Sequence, residues 1–471
     1  MQDPVLAKSF SRNERKRFGY GGLVLIVIII LSSCMVFKPH LHPLFMIGEV
    51  MNLQLSITAT QDLLVLNDTT FPRAMEKEEK EVKPICNVLE ARSDFCEMKG
   101  DIRVVGNSST IFLVTHHDLN NNNISRRNSW TLKPYPRKDS AAAMAQVKNW
   151  TVKLVQETSE IPKCGAFHGY PAVLFSQGGF SGNHFHDFTD LLIPIFAASQ
   201  HFNGEVHFLA TDYRKWWTGK YRMVLGGLSK HQVTDIDKDH VVQCFPSMTV
   251  GLKSHTNKEL GIDSSKFPNK VSMKHFKHFL RATFSLPRTQ AIRLGSGSPK
   301  RPRLMIISRN KTRVLMNEDE VLEMAEKVGY KVVKAEASIS TNLSRFAGVV
   351  NSCDVLMGVH GAGLTNMVFL PDNGVVIQVI PLGEIDGFGR RDFGYPSRDL
   401  NVKYLEYKIG VNESSLVDSY PLDHAVFKDP KSIHRKGWMA LRSIYLDQQN
   451  VRIDVNRFRD TLLQALTLLQ H

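Results

Sequence analysis

The chain has 471 residues, 42% hydrophobic and 22% charged, with a formal net charge of +13. That length exceeds what one hydrophobic core usually holds, and the composition excludes a disordered or fibrous protein. The basic excess is dispersed along the chain without interleaved aromatics, so nucleic acid is excluded as a partner and mild attraction to acidic glycans is expected.

In chain order, residues 1–17 are basic, with Lys8, Arg12, Arg15, Lys16 and Arg17 outnumbering Asp3 and Glu14. Residues 18–37, "FGYGGLVLIVIIILSSCMVF", carry no charge over a length that crosses a bilayer core of about 30 Å as a helix. The basic flank favours a cytosolic tail over 1–17, a single transmembrane signal anchor over 18–37 and a lumenal remainder. A cleaved signal peptide is the rival reading, but this apolar run is longer than the usual h-region of roughly 7–15 residues. Residues 38–83 read as a stem ending in the mixed-charge run "RAMEKEEKEVK". Sequons at Asn67, Asn107, Asn123, Asn149, Asn342 and Asn412 fit a lumenal address as glycosylation sites. Asn310 also opens a sequon, but it lies in a candidate ligand loop, where a closed cleft would leave it unmodified.

Six cysteines are present, one of them, Cys34, in the apolar span. Of the other five, Cys86 and Cys96 flank a short polar loop and form the favoured disulfide. Cys164 with Cys244 is the second pairing considered, and Cys353, in an apolar strand, is expected to be a buried free thiol.

Residues 84–293 alternate short strand-like runs ("IRVVG", "TIFLV", "AVLFS", "EVHFLA", "HVVQCF") with helical periods at 183–202 and 272–285, as one α/β domain does. The Gly, Ser and Pro of "LGSGSPKRP", 294–302, read as a linker. Residues 303–454 alternate more regularly. "RLMIIS" is a buried strand; Asn317 with Glu320 resembles a capping box opening a helix that stops at Gly329; "KVVKA", "DVLMGV" and "VVIQVI" are further strands of a doubly wound, nucleotide-binding pattern. A final helix at 455–471 is expected to pack back across the linker onto the first domain.

In an open parallel sheet, ligands bind beyond the carboxyl ends of the strands. Two such ends draw attention in the second domain: "SRNKTR", with Ser308, Arg309 and Arg313, and the turn His360, Gly361, Ala362, Gly363 that leads to Asn366. Glycines admit a close backbone approach, a helix start offers free N–H groups, and arginines supply forked donors, so the two loops read as a diphosphate cradle. The competing reading is a tight turn beside a solvated basic loop. Neither stretch is a GxGxxG or Walker motif, so NAD and ATP are not indicated. In the first domain, "GGFSGNHFHDFTDLLIPIF" follows a strand and opens a helix. At 100° per residue Asn183, His186, Asp187 and Asp190 share one side, an arrangement suited to an acid/base cluster. Gly179 and Asn183 are assigned to the acceptor side. "DIDKD", at Asp235, Asp237 and Asp239, contains the D-x-D that can hold a metal, but it sits at an expected turn, and no metal site is assigned.

The stretches "RSDFCEMKGDIRV", "GGFSGNHFHDFTDLLIP", "ISRNKTRVLMNEDE" and "GVHGAGLTNMVFLP", in that order, together with "KDPKSIHRKGW", resemble plant members of glycosyltransferase family 61 over roughly residues 84–470. The resemblance implies a Golgi type II membrane enzyme of GT-B fold, two Rossmann-like domains facing a cleft, inverting and independent of metal or other cofactor. It implies a UDP-pentose donor, arabinofuranose or xylose, and xylan or a related hemicellulose as acceptor, with other Golgi glycosyltransferases as partners in a complex. A protein or glycoprotein glycosyltransferase of the same family is one alternative, and a non-catalytic glycan-binding scaffold is another. Carried over, Arg309 and Arg313 contact the diphosphate, His360 to Gly363 line the nucleotide pocket, and His186 or Asp187 is the acceptor-side base, with His186 favoured and Asp190 orienting it.

Overall fold

The computed structural model describes residues 86–470 apart from 116–127, 157, 159, 255–258, 268, 296–299 and 337–340. The expected anchor and stem, Cys34, Asn67 and Asn123 lie outside the described residues, and among those described no helix is long and apolar enough to cross a membrane. All described elements belong to one unit, residues 79–471.

Two sheets form where the apolar runs lie. The first contains β1 (Cys86–Asn87), β2 (Phe95–Val105), β3 (Thr110–Thr115), β4 (Ser129–Leu132), β5 (Trp150–Gln156), β6 (Ala166–Phe167), β7 (Ala172–Ser176), β8 (His207–Thr211), β9 (Thr234–Asp235) and β10 (Gln243–Val250). Its order is β4-β5-β3-β2-β10-β7-β8-β9, with β1 beside β2 and β6 beside β10. β10, β7, β8 and β9 run parallel, whereas β2 is antiparallel to both β3 and β10. Cys86–Cys96 ties β1 to β2 and Cys164–Cys244 ties the segment before β6 to β10, while Cys353 is free and buried, as expected.

The second sheet holds β11 (Arg303–Ser308), β12 (Lys331–Glu336), β13 (Val355–Val359), β14 (Val375–Ile380) and β15 (Lys403–Lys408), all parallel, in the order β12-β11-β13-β14-β15. β13 and β14 are buried at every residue, which explains their unbroken Val, Ile, Leu and Met pattern. The strand order reverses between β11 and β13, and a crevice opens above such a reversal. In the first sheet the chain leaves β7 with β8 on one side and the later β10 on the other, so the loop after β7 occupies the same kind of point.

Three local expectations need correction. The helix expected over 183–202 runs as His184–His186, a π-helical stretch Asp187–Leu192, and Ile193–Ser199. Asn317 makes no capping bond; its amide instead exchanges two hydrogen bonds with the Ile453 backbone, at 2.8 and 2.9 Å. The C-terminal helix Val455–Leu468 packs on the second sheet's own face, burying Phe458 and Leu462 against Leu304 and Val321, with Tyr330 Oη donating to Leu462 O at 2.8 Å. An apolar stripe specifies that a helix is covered but not by which neighbour. The two halves also share one apolar core: Phe188 meets Phe276 of the first half and Phe369 of the second edge-on, at 6.2 and 6.1 Å.

Candidate active site

Both loops singled out in the second half leave the strands that flank the reversal. Arg309 follows β11, its Nε donating to Thr312 O at 2.7 Å and its Nη2 to Thr312 Oγ1 at 3.2 Å. Arg313, at the left-handed φ of 53°, donates from Nη1 to His360 O at 2.7 Å, while its Nε is buried without a partner. Among the described residues neither guanidinium forms an ion pair. Burial pushes Arg309 down, and burial with repulsion from Arg309 takes Arg313 down to about 9. Two desolvated cations held side by side without a carboxylate are costly unless an anion completes the site.

Gly361 explains how they converge. Its φ is 148°, and a Cβ there would lie 2.6 Å from Arg309 Nη1 and 3.2 Å from Arg313 Nη1. The short helix Ala362–Phe369 starts immediately after it. Gly361→Ala is therefore expected to displace both guanidiniums and weaken the site's hold on a diphosphate at least about tenfold, since even one charge-assisted hydrogen bond is worth roughly 1.5–3 kcal/mol. Calorimetric titration with UDP checks this; an unchanged Kd would show that the arginines do not meet the nucleotide.

His360 lies behind the turn. Tyr404 Oη donates to Gln378 Oε1 at 2.7 Å, which leaves the Gln378 amide to donate to His360 Nδ1, also at 2.7 Å. Burial, then Arg313 and Arg309, lowers His360 to about 3, so the ring is neutral with its hydrogen on Nε2, 4.0 Å from Asp392 Oδ2.

Across the cleft, Asn183 caps the helix that begins at His184 by accepting from Phe185 N at 3.0 Å. His186 Nδ1 lies 3.0 Å from Asp190 Oδ2. Asp190 also accepts from Tyr135 Oη at 2.8 Å, Arg137 Nε at 2.9 Å and Thr189 Oγ1 at 2.8 Å. Burial opposes its charge, but the bonds from His186 and Arg137 prevail and hold the carboxyl below its usual range. An ionised Asp190 accepts the hydrogen on His186 Nδ1, which leaves Nε2 as the ring nitrogen outside the pair. A cavity of about 710 Å³ joins the two sides, lined by Asn183, His184 and Lys220 from one and Arg309, Gly363 and Asn366 from the other. His184 Nε2 to Asn366 Oδ1, at 3.2 Å, bridges them.

A family model described as Glycosyltransferase 61 matches residues 185–377. "Alpha-1,3-arabinosyltransferase XAT2" of Oryza sativa subsp. japonica is 45% identical over 84% of this chain and 66% of its own length. "Beta-1,2-xylosyltransferase XYXT1" of the same plant is 43% identical over 82% of this chain and 84% of its own length. "Xylan glycosyltransferase MUCI21" of Arabidopsis thaliana is 35% identical over 94% and 90%. The chain belongs to glycosyltransferase family 61. It spans just under two thirds of the length of the rice arabinosyltransferase XAT2.

The family-61 match covers both arginines, the Gly361 turn and His186; of these, Arg309 lines the cavity, whereas His186, Arg313 and Gly361 stand behind its lining. Asp187, a candidate base, is 0% exposed and accepts from Tyr221 Oη at 2.6 Å, Trp217 Nε1 at 2.8 Å and Gly182 N at 2.8 Å. Standing one residue from His186, it turns about 100° away into the interior, so it anchors the helix instead of facing the acceptor. Gly179, placed on the acceptor side, is a buried seat for Tyr135: at φ 56° its Cβ would lie 2.4 Å from that ring. Ser308 lines the cavity but donates its hydroxyl to Glu318 at 2.7 Å. Asp237 of the D-x-D is taken up by Thr211 Oγ1 at 2.8 Å and Asp212 N at 2.7 Å. Of the sequons, Asn107, Asn149, Asn342 and Asn412 are exposed, and Asn310 lines the cavity with its amide on Glu336.

Sequence reasoning missed His184, Lys220 and Asp392. His184 had a signal, as the histidine two residues before His186 on the same helix; Lys220 and Asp392 sit in stretches that read as solvated. Asp392 is pushed up to about 7, by burial first and then by Glu259. Below about pH 4 the folded and unfolded chains both carry it protonated. As pH rises towards 7, the unfolded chain has lost the proton and the folded chain must keep it or bury a charge, so stability from the neutral carboxyl is lost over that window. Asp392→Asn, neutral throughout, is expected to gain on the wild type by on the order of 3–4 kcal/mol between about pH 4 and pH 8. Calorimetric unfolding curves that stay parallel across that range would contradict the assignment.

Proposed function

We propose that this protein is an inverting, GT-B-type pentosyltransferase of the Golgi lumen that moves arabinofuranose or xylose from a UDP-sugar to xylan. The observation that carries the reading is the pair of half-buried guanidiniums gathered at Gly361, with no ion-pair partner among the described residues, where the second sheet's strand order reverses. That environment suits a diphosphate leaving group; the relatives named as an arabinosyltransferase and a xylosyltransferase support a pentose donor, and the one named a xylan glycosyltransferase supports the acceptor class.

In this reading His186 Nε2 accepts the proton of an acceptor hydroxyl as its oxygen bonds to the anomeric carbon. The bond from that carbon to the UDP oxygen breaks, its electron pair leaves with the diphosphate, and Arg309 and Arg313 stabilise the charge that develops. Asp190 keeps the His186 tautomer, Tyr135 and Arg137 keep Asp190, and the His360 Nε2–H offers a neutral donor beside the cradle. The chain's own residues supply the positive charge, so a divalent ion is not required.

The test is a donor screen on the full chain, reading UDP release and product mass with xylo-oligosaccharides and, separately, with a folded glycoprotein, each with and without chelator. Pentose transfer to the oligosaccharide, unaffected by chelator, is the expected result. Transfer only to the glycoprotein, or activity lost with chelator, would replace this reading.

A further inference from the structure

Beyond the cleft, the segment that carries Asp392 continues onto a surface whose aromatic side chains stand out from a well-packed base. Ile433, Leu441 and Tyr445 are buried with Ile380 and Ile385 in a local apolar cluster, and His434 Nε2 lies 2.6 Å from Gly383 O. The helices Pro430–Arg435 and Trp438–Leu441 are therefore anchored. Trp438 nevertheless keeps 55% of its surface exposed, and Met439 beside it keeps 70%.

These groups form a continuous line. The Trp438 indole meets the Phe388 ring edge-on with centroids 6.2 Å apart, and the Arg391 guanidinium lies over Phe388 at 5.0 Å. Arg391 Nε is 3.9 Å from Asp392 Oδ1, and Asp392 Oδ2 is 4.0 Å from His360 Nε2. The ridge thus runs from the outer surface to the residue behind the Gly361 turn. Phe393, next in the chain, joins it to the opposite half through Phe185, with centroids 5.6 Å apart. The surrounding segment is cationic: Lys428, Lys431 and Lys436 are exposed, and among the described residues they form no ion pair.

The geometry points to the Phe388–Arg391–Trp438 ridge as an outlying binding site for the acceptor polysaccharide, one suited to a pyranose chain carrying carboxylate groups, such as uronic-acid-substituted xylan. Pyranose rings present apolar C–H faces that lie on aromatic rings, and an anchored, exposed indole offers such contact area at little entropic cost. Carboxylates on the chain would meet the guanidinium and the lysines. A membrane surface would also accept Trp and Lys, but the side-chain contacts that start at Trp438 pass through Phe388 and Arg391 to Asp392 beside His360, which ties this surface to the acceptor polysaccharide and not to a lipid. The inference rests on the pentosyl-transfer reading and extends it from the reacting sugar to the chain that bears it.

Affinity electrophoresis of the full chain through gels holding glucuronoxylan, carboxyl-reduced glucuronoxylan or no polymer reads binding directly, without requiring activity. Trp438→Ala is expected to weaken retention by glucuronoxylan at least about fivefold, and Arg391→Gln to remove most of the difference between the native and carboxyl-reduced polymer. Transfer to a xylotriose, which does not extend from the cleft to the outer end of the ridge, is expected to stay at the wild-type rate in Trp438→Ala. Equal retention of wild type and Trp438→Ala, or binding of the ridge to anionic phosphatidylserine vesicles with none to xylan, overturns the inference. Retention that depends on Trp438 in a protein that transfers no pentose would instead overturn the functional reading and leave the ridge standing.

Discussion

Arg309→Met is expected to make the ligand-free protein more stable while lowering transfer about 10²- to 10³-fold, the range for losing a donor aimed at developing transition-state charge. The two effects have opposite signs for one reason. Without ligand, Arg309 is a desolvated cation beside a second one, Arg313, and among the described residues no carboxylate pairs with it. Replacing it with an apolar chain of similar length gives up the two bonds to Thr312 but relieves that repulsion and desolvation, for a net gain on the order of 1 kcal/mol once its partial exposure is allowed for. With UDP bound, the same charge is the asset. Wild type at about 100 times its Kd should gain roughly 2.7 kcal/mol from the ligand, and the variant should lose most of that gain. Calorimetric melts with and without UDP, beside initial transfer rates, measure both halves. A variant that melts lower and keeps its UDP response would make Arg309 a structural residue and remove the cradle.

The sequence already pointed to this pair because three physical signals coincide. Apolar runs of strand length end in glycines and cations, helices follow, and ligands lie at strand carboxyl ends. The order β12-β11-β13-β14-β15 supplied what no run of residues could: only the folded sheet makes Ile307 and Gly358 neighbours, although they stand about fifty positions apart in the sequence. His186 and Asp190 were legible for a local reason, since residues four apart on a helix meet. Asp187 misled for an equally local one. A short polar side chain beside a histidine looks catalytic until Trp217, Tyr221 and Gly182 are seen to satisfy it, and all three partners lie outside the helix. Asp392 was illegible because its shift arises from burial between two halves, and "GRRDFGYPSRD" alone reads as a solvated helix. Asn317 shows the limit of motif spacing, as its side chain is engaged by Ile453 from the far end of the chain.

His186→Ala is expected to lower kcat by about 10²- to 10⁴-fold, the usual worth of a positioned general base, while leaving the Kd for UDP close to wild type. The separation follows from placement. His186 bonds to Asp190 in the first half, whereas the guanidiniums bond within the second, to Thr312 and to the His360 carbonyl. Asp190→Asn is expected to reduce kcat as well, because an amide can present a hydrogen to Nδ1 and favour the tautomer that leaves Nε2 protonated. It is also expected to lower stability, since Asp190 additionally holds Tyr135 and Arg137. Asp392, 4.0 Å from His360 Nε2, is the competing base, and the two candidates predict different outcomes. If His186 is the base, exogenous imidazole restores part of the His186→Ala rate, and Asp392→Asn keeps kcat within about tenfold of wild type. Loss of the rate in Asp392→Asn, with His186→Ala nearly unaffected, would move the proton acceptor to the carboxylate facing His360. The His186–Asp190 pair would then be a hydrogen-bonded brace for the helix that opens the cleft.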